Sequence, residues 1–202
     1  MNASTSVTRG ERTYPSRFGS WETVWYVIGE TDIGTTLVAT TVAGVAAVFF
    51  NSNRSALLAE LRELFPYADM VQGGEQVEIA FGEVSRLIAH PDRPWTLPLD
   101  IRGTEFHQRV WRALREIPAG TTTTYGKIAE KLGGGVTAQD VGEGCAANVL
   151  GMVIPCHRVI RSDGSLAGYR WGIARKQKLL AMERDAVPEE GMLFFGSLAT
   201  HG

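Results

Sequence analysis

Residues 153–160 read Val-Ile-Pro-Cys-His-Arg-Val-Ile. One cysteine, Cys156, stands between Pro155 and His157 inside an apolar run. Val153, Ile154, Val159 and Ile160 are residue types that go to the interior, so both flanks are expected to be buried. The pattern predicts a thiol on a rigid turn in a closed pocket, with an imidazole beside it. A thiol becomes a strong nucleophile as the thiolate, and a neighbouring histidine is a usual means of lowering its pKa. Four residues alone favour a buried structural cysteine; the chain on either side reverses that.

C-terminal to this stretch, Arg161-Ser162-Asp163-Gly164-Ser165 reads as a turn, and Gly168-Tyr169-Arg170-Trp171-Gly172 as a glycine-bounded aromatic loop. A helix follows over 173–184, with Ile173, Gln177, Leu180 and Glu183 on one side, which places Glu183 against the cysteine loop. N-terminal to the stretch, two short helices are separated by Gly133-Gly134-Gly135. One covers 126–132 with Ile128, Ala129 and Leu132 inward. The other covers 137–148 with Ala138, Val141, Cys145 and Val149 inward. This is a helix-turn-helix pattern. Gly142, Gly144, Ala146 and Ala147 cost helix stability, which predicts a helix whose backbone must come close to something. Before them, Thr104 caps a helix over 105–116 that turns Phe106, Val110, Trp111 and Leu114 inward, and Ile117-Pro118-Ala119-Gly120 ends it.

The first hundred residues read differently. Residues 23–29, 35–41 and 45–50 are short and rich in β-branched and aromatic types, a three-stranded meander. Two helices follow, 55–65 after Asn53 and 76–90, stopped by Pro66 and Pro91. Residues 21–92 therefore form a small α/β domain, 93–102 a linker that pairs briefly as strand, and 103–186 a mostly helical domain; 1–20 is expected to be a disordered leader and 187–202 a loose tail. The fold class is α+β: a small N-terminal three-stranded antiparallel sheet with helices, then a helical domain with a helix-turn-helix and a buried cysteine loop.

Composition narrows the chemistry. Two cysteines eleven positions apart, with no Cys-x-x-Cys pair or Cys/His cluster, argue against a disulfide framework and against zinc, and fit a reducing cytosol. No metal site or cofactor is expected. The apolar run 37–50 is interrupted and too short to span a membrane. The net charge of −2 is uneven. Residues 1–99 hold seven Lys/Arg against eleven Asp/Glu, whereas 100–186 hold thirteen against nine. The half that contains Cys156 is the basic one, which permits a phosphate partner.

Residues 103–129, GTEFHQRVWRALREIPAGTTTTYGKIA, and 145–183, CAANVLGMVIPCHRVIRSDGSLAGYRWGIARKQKLLAME, together resemble the methylated-DNA–protein-cysteine methyltransferases, the suicide repair proteins for O6-alkylguanine. With the LPLDIRGTEF junction, the chain resembles the C-terminal part of the bacterial adaptive-response regulator type. The resemblance implies a ribonuclease-H-like unit ahead of the alkyltransferase domain. It implies that Cys156 accepts the alkyl group, that His157 acts through a water as its base, and that Glu183 orients His157. Asn148 would brace the turn before the cysteine loop. Tyr125 would help rotate the target nucleotide and donate its hydroxyl to the leaving guanine. Val159, Tyr169 and Arg170 would line the base pocket, and Lys176 would tie that loop down. The partner implied is double-stranded DNA met through its minor groove by a cytosolic monomer, with the damaged nucleotide flipped into the pocket. The family's helix carries an arginine that fills the gap left by the flipped base; here that position is Gln139, beside Asp140 and Glu143, and acidic groups near phosphates oppose binding. Weaker duplex binding is therefore expected. Two alternatives stand beside this reading. One is a non-catalytic alkylated-DNA-binding protein of the same fold, which Cys156, His157 and Glu183 argue against. The other is a cysteine hydrolase, which lacks an oxyanion motif and would need Cys156 and His157 to face one side of a strand-like segment. Cys145 is expected to be a packing residue, with a minor role as second acceptor open, and Gly151 to leave an open pocket wall.

Overall fold

The structure is a computed structural model that describes residues 22–166 and 168–186; the expected leader 1–20 and tail 187–202 lie outside the described residues. The meander is present as β1 (Thr23–Thr31), β2 (Gly34–Thr41) and β3 (Gly44–Phe50), all antiparallel. Then come α1 (Arg54–Leu64), β4 (Asp69–Gln72) and α2 (Glu75–Ala89). The strand β4 joins the free side of β1 in parallel, so the sheet has four strands in the order β3-β2-β1-β4 rather than three. Asp69-Met70-Val71-Gln72 is four residues long with only Met70 half-buried, too short and too polar to show the period of a strand.

Helix α1 starts where Asn53 accepts hydrogen bonds from the amides of Ser55 and Ala56, a side-chain cap of the kind Asn provides. It buries Leu57 and Leu61, and α2 lays Val77, Ala80, Val84, Leu87 and Ile88 on the sheet.

β3 is buried along its whole length, because its second edge is also paired. The amide of Val45 donates to Pro98 and the amide of Asp100 donates back to Val45, both at 2.9 Å. Further along, Val48 donates to the carbonyl of Val149 at 2.8 Å and Gly151 donates to Val48 at 3.1 Å. The first pair fastens the linker, whose brief pairing as strand was expected; the second fastens the segment that leads into the cysteine loop. A strand buried on both faces and both edges must be apolar throughout, which accounts for the run Gly44–Phe50. The buried side chains of the two halves form one continuous core.

The C-terminal half contains α3 (Glu105–Arg115), β5 (Thr123–Thr124), α4 (Tyr125–Leu132), α5 (Ala138–Ala146), a 3-10 turn (Cys156–Arg158), β6 (Val159–Ile160) and α6 (Ile173–Ala186). β5 pairs in parallel with β6. Between α4 and α5, Gly133, Gly134 and Gly135 all have φ between +62° and +81° in open solvent, a left-handed run that only glycine adopts cheaply. Thr137 caps α5 with a full capping box: its hydroxyl accepts from the amide of Asp140, whose carboxylate accepts from the amide of Thr137. Asp140 is thus a cap residue. No helix among the described residues is long and apolar enough to cross a membrane.

Two expected helix faces shift. On α6 the buried residues are Lys176, Leu179 and Glu183; of the expected face Glu183 is buried and Leu180 half-buried, while Ile173 and Gln177 are exposed, because a face drawn from the apolar residues missed the buried lysine. On α5, Ala138 is exposed and Gly144 is buried. A Cβ on Gly144 would come within 2.9 Å of Val110, and its carbonyl accepts the Trp111 indole N–H at 2.8 Å. Gly144 and the buried Ala147 are therefore small for internal packing on α3. Gly142 and Ala146 are left to face outward.

Candidate active site

The chain reaches Cys156 through two tight turns. The amide of Val153 bonds to Gly151 and that of Cys156 to Ile154, both at 2.8 Å. Met152 between them is the one non-glycine among the described residues with a left-handed backbone, φ +66°. Such a residue costs about 1–3 kcal/mol and persists where its surroundings over-determine it. Asn148 supplies that determination. Its side-chain oxygen accepts from the amide of Leu150 at 2.9 Å, and its amide nitrogen donates to the carbonyl of Ile154 at 2.9 Å and to Sγ of Cys156 at 3.2 Å. Asn148 is fully buried and spans the whole turn. Asn148→Ala strips buried backbone groups of their partners, each worth about 1–3 kcal/mol. The expected loss of stability is roughly 2–5 kcal/mol by denaturant titration; a midpoint unchanged from the parent would show that the turn holds itself.

Cys156 and His157 lie on a 3-10 turn rather than a strand, so they need not face opposite sides. His157 is fully buried. Its Nε2 lies 2.7 Å from Oε1 of Glu183, whereas its Nδ1 is buried with no hydrogen-bond partner in the described structure. Burial works to raise the Glu183 carboxyl, but the hydrogen bond and charge of His157 and the Arg158 guanidinium outweigh it and bring it down to about 2. Arg158 is charged at any relevant pH, so Glu183 is an ionised acceptor whatever the state of His157. Burial lowers the pKa of His157, against the pull of Glu183, and so keeps it neutral. A neutral ring facing a carboxylate through Nε2 must carry its proton there. Nδ1 is left as a buried lone pair, ready to take a proton.

The residue that sequence reasoning missed is Arg158. Its guanidinium holds Glu183 in a fork, Nε at 2.9 Å from Oε2 and Nη2 at 2.8 Å from Oε1, and Nη1 donates to the carbonyl of Ile117 at 2.6 Å. The amide of Gly120 adds a fourth anchor, 3.2 Å from Oε2. The signal was an arginine inside an apolar run, since a buried charge is kept only when paired.

The expected lowering of the Cys156 pKa is not found. Burial pushes the thiol up, and the Asn148 amide and the Lys176 charge offset this in part. The resting residue is a neutral thiol. The buried Nζ of Lys176 donates to the carbonyl of Val159 at 2.5 Å, fixing β6 immediately after the cysteine turn, and its amide bonds to Gly172 at the end of the aromatic loop at 3.3 Å. Val159 is itself buried and pairs with Thr123. Gly151 is no open pocket wall, because Phe50 and Trp171 close directly over it. Cys145 is buried on α5, and burial raises its thiol well above the ordinary value.

A groove of about 470 Å³ is lined by Tyr125, Gly142, Ala146, Arg161, Tyr169 and Arg170 among others, and two of these, Tyr125 and Tyr169, are near enough to Cys156 to feel its charge. Burial raises the Tyr125 hydroxyl to about 12, and both thiols add to the shift. Tyr169 stands edge-on to His157, ring centroids 6.4 Å apart, and its buried hydroxyl has no partner in the described structure. Both phenols are therefore neutral donors beside the thiol. Gln139 lies on the exposed surface of α5, touching only Glu143 at 3.4 Å. The arrangement can deprotonate a sequestered thiol, keep bulk solvent from it, and protonate a leaving group at the groove.

Comparison with known proteins agrees with this geometry. Residues 105–185 match the family model for the 6-O-methylguanine DNA methyltransferase DNA binding domain. The chain is 42% identical over 162 residues to the bifunctional transcriptional activator/DNA repair enzyme Ada of Escherichia coli, covering 80% of this chain and 46% of that protein. It is 50% identical over 98 residues to the methylated-DNA–protein-cysteine methyltransferase of Mycolicibacterium paratuberculosis, covering 48% of this chain and 59% of the relative. The chain thus spans about half the length of the curated relatives it matches. Among solved structures, Mycobacterium tuberculosis OGT in complex with DNA superposes with a TM-score of 0.68 at 30% identity, covering 84% of this chain and 99% of that one.

Proposed function

The chain belongs to the 6-O-methylguanine DNA methyltransferase family, and from that premise we propose that it removes alkyl groups from O6-methylguanine in DNA by irreversible transfer to Cys156. The observation that carries the reading is the buried chain Arg158–Glu183–His157, which leaves a free imidazole lone pair on the residue that follows a sequestered thiol.

In the reaction, the Cys156 thiol gives its proton to Nδ1 of His157 through one water. The sulfur attacks the methyl carbon, the carbon–O6 bond breaks, and the guanine leaves with the electron pair. The Tyr125 hydroxyl passes a proton to the departing base, and the phenolate so formed takes one back from solvent at once, since its pKa is raised to about 12. The product is an S-methyl thioether, which nothing in the site reverses, so each molecule acts once. His157 then carries the thiol's proton beside Glu183, and the ion pair stabilises that charge as it forms. Coupling deprotonation to substrate entry suits a resting thiol whose pKa is raised by burial.

The alkylated base edge cannot reach Cys156 from within a duplex, so the nucleotide is flipped into the groove at a cost of a few kcal/mol. The small outward residues Gly142 and Ala146 let α5 enter a minor groove about 6 Å wide. Gln139 would stand where the base has left, filling the gap without a charge. Gln139→Arg is expected to tighten duplex binding and steepen its dependence on salt by about one counterion; an unchanged affinity and slope would mean that this face of α5 does not meet DNA. The protein acts in the cytosol as a monomer.

Incubation with a duplex carrying a radiolabelled O6-methylguanine tests the reading. Label that remains on denatured protein supports transfer. Binding without label supports the non-catalytic alternative, which the exposed, uncharged Gln139 alone favours. Neither binding nor label overturns both.

A further inference from the structure

Arg170 lines the groove, and its guanidinium is held by partners on either side. Nε and Nη2 donate to Oε1 of Glu60 at 2.9 and 2.5 Å, and Nη1 donates to the carbonyl of Ala146 at 3.1 Å. Glu60 belongs to α1, in the N-terminal α/β unit. Ala146 is the last residue of α5, where a cation meets the negative end of the helix dipole. The guanidinium also stands 5.8 Å from the ring of Phe49 in β3 and 5.9 Å from that of Trp171. One side chain therefore joins three elements: α1, the end of α5, and the aromatic loop 168–172. The last two both line the groove, through Ala146 and Gly168-Tyr169-Arg170. The arginine's fork is occupied by Glu60 and Ala146, so its part is not contact with a phosphate.

We propose that Glu60 is a positioning residue for the site: it holds Arg170 in the one arrangement that fixes the distance between α5 and the aromatic loop, and so limits the size of alkyl group that reaches Cys156. The α/β unit then takes part in substrate selection and is more than a scaffold. Side chains of Glu60 and Arg170 are 24% and 13% exposed, partly shielded from solvent. Removing the carboxylate releases Arg170 toward the groove mouth, frees Ala146, and lets the loop move outward. A Cβ on Gly168 would meet nothing within 4 Å, so the first residue of the loop has room to move, while Tyr169 and Trp171 anchor the rest of it on His157 and Phe50. Arg170→Lys keeps the charge but loses the planar fork that binds Glu60 and Ala146 together.

The inference rests on the alkyltransferase reading, and its test separates the two. Transfer rates to Cys156 are measured from duplexes carrying O6-methylguanine or O6-benzylguanine, for the parent, Glu60→Gln, Arg170→Lys and Glu60→Asp, with melting temperatures recorded beside them. The methyl-to-benzyl rate ratio is expected to fall about tenfold in the first two variants, the scale on which a pocket wall discriminates small groups, and to be retained in Glu60→Asp. In parallel, peptide mapping follows modification of Cys156 by iodoacetamide and by a bulky maleimide, which needs no DNA chemistry. If the parent transfers no alkyl group from either duplex, the function reading fails and the thiol probes decide the role of Glu60. A small-to-bulky ratio that falls in Glu60→Gln supports it. Ratios unchanged from the parent in every assay that reports overturn it.

Discussion

Cys156→Ala is expected to abolish methyl transfer completely while leaving the fold intact. The loss is total because no other thiol can replace it. Cys145 is the second of two cysteines, and burial holds its thiol well above the ordinary value. The relay addresses one position only: Asn148 donates to Sγ of Cys156, and the imidazole lone pair lies on the adjacent residue. The substitution removes one small buried atom from a turn held by Asn148, Leu150 and Ile154, so the expected destabilisation is about 1 kcal/mol. Duplex binding is expected to persist, since Gln139, Gly142 and Ala146 are untouched. Label found on Cys145 in this variant would refute the assignment of a single acceptor.

Glu183→Gln is expected to damage stability and chemistry together. Among the described residues, Glu183 is the sole carboxylate paired with Arg158, and it is the group that orders His157. Taking one partner from a buried ion pair costs about 3–5 kcal/mol, which for a chain of this size is a fall in melting temperature of roughly 6–20 °C. A neutral amide no longer requires the His157 proton to sit on Nε2, so the lone pair on Nδ1 is not assured. Loss of a positioned general base slows such steps by about 10²–10⁴. Adding Arg158→Met to Glu183→Gln is expected to restore much of the stability, because the orphaned charge is gone, but not the rate. Recovery of both together would mean that the ion pair serves folding only.

The same groups set the response to acid. The folded carboxyl of Glu183 titrates at about 2, below its unfolded value, so its contribution is intact above about pH 4.3 and is lost as the pH falls toward 2. His157 is also lowered in the folded state, by burial, so the unfolded chain binds its proton first. That contribution begins to fall below about pH 6.5. Stability is therefore expected to decline in two stages on acidification, and Glu183→Gln to remove the lower one. A single stage near pH 4 in both proteins would contradict the assignment.

Much of this site is written in contiguous residues. Val-Ile-Pro-Cys-His-Arg-Val-Ile carries its own burial, and Asn148, eight positions before Cys156, lies within reach of a local turn. Glu183 was legible because the helical period brought it to the inward face, although that face was drawn through Ile173 and Gln177 and the helix turns Lys176 and Leu179 inward instead. Periodicity counts apolar residues and is blind to a lysine whose ammonium caps a buried carbonyl. Arg158 was hidden for the same reason: its partner is distant in sequence and its burial makes sense only once Glu183 is placed. Hydrophobic pattern found β1, β2 and β3 but passed over β4, whose four residues pair with β1 through the backbone and leave little trace in side-chain type. Glu60 and Arg170 sit in different halves of the chain, and nothing in the sequence pairs the one with the other, although the resemblance put Arg170 at the base pocket. The thiol's raised pKa was missed because adjacency to His157 was taken as contact, whereas the imidazole faces Glu183.

The central claim is one sulfur, used once. Its most direct test is a titration of the protein with excess O6-methylguanine duplex, followed by intact-mass measurement and peptide mapping. The account predicts the mass of a single methyl group on each protein molecule, all of it on the peptide containing Cys156, with no further repair once the protein is consumed. Unmodified protein after the duplex has been repaired, or continued turnover beyond one equivalent, would contradict it.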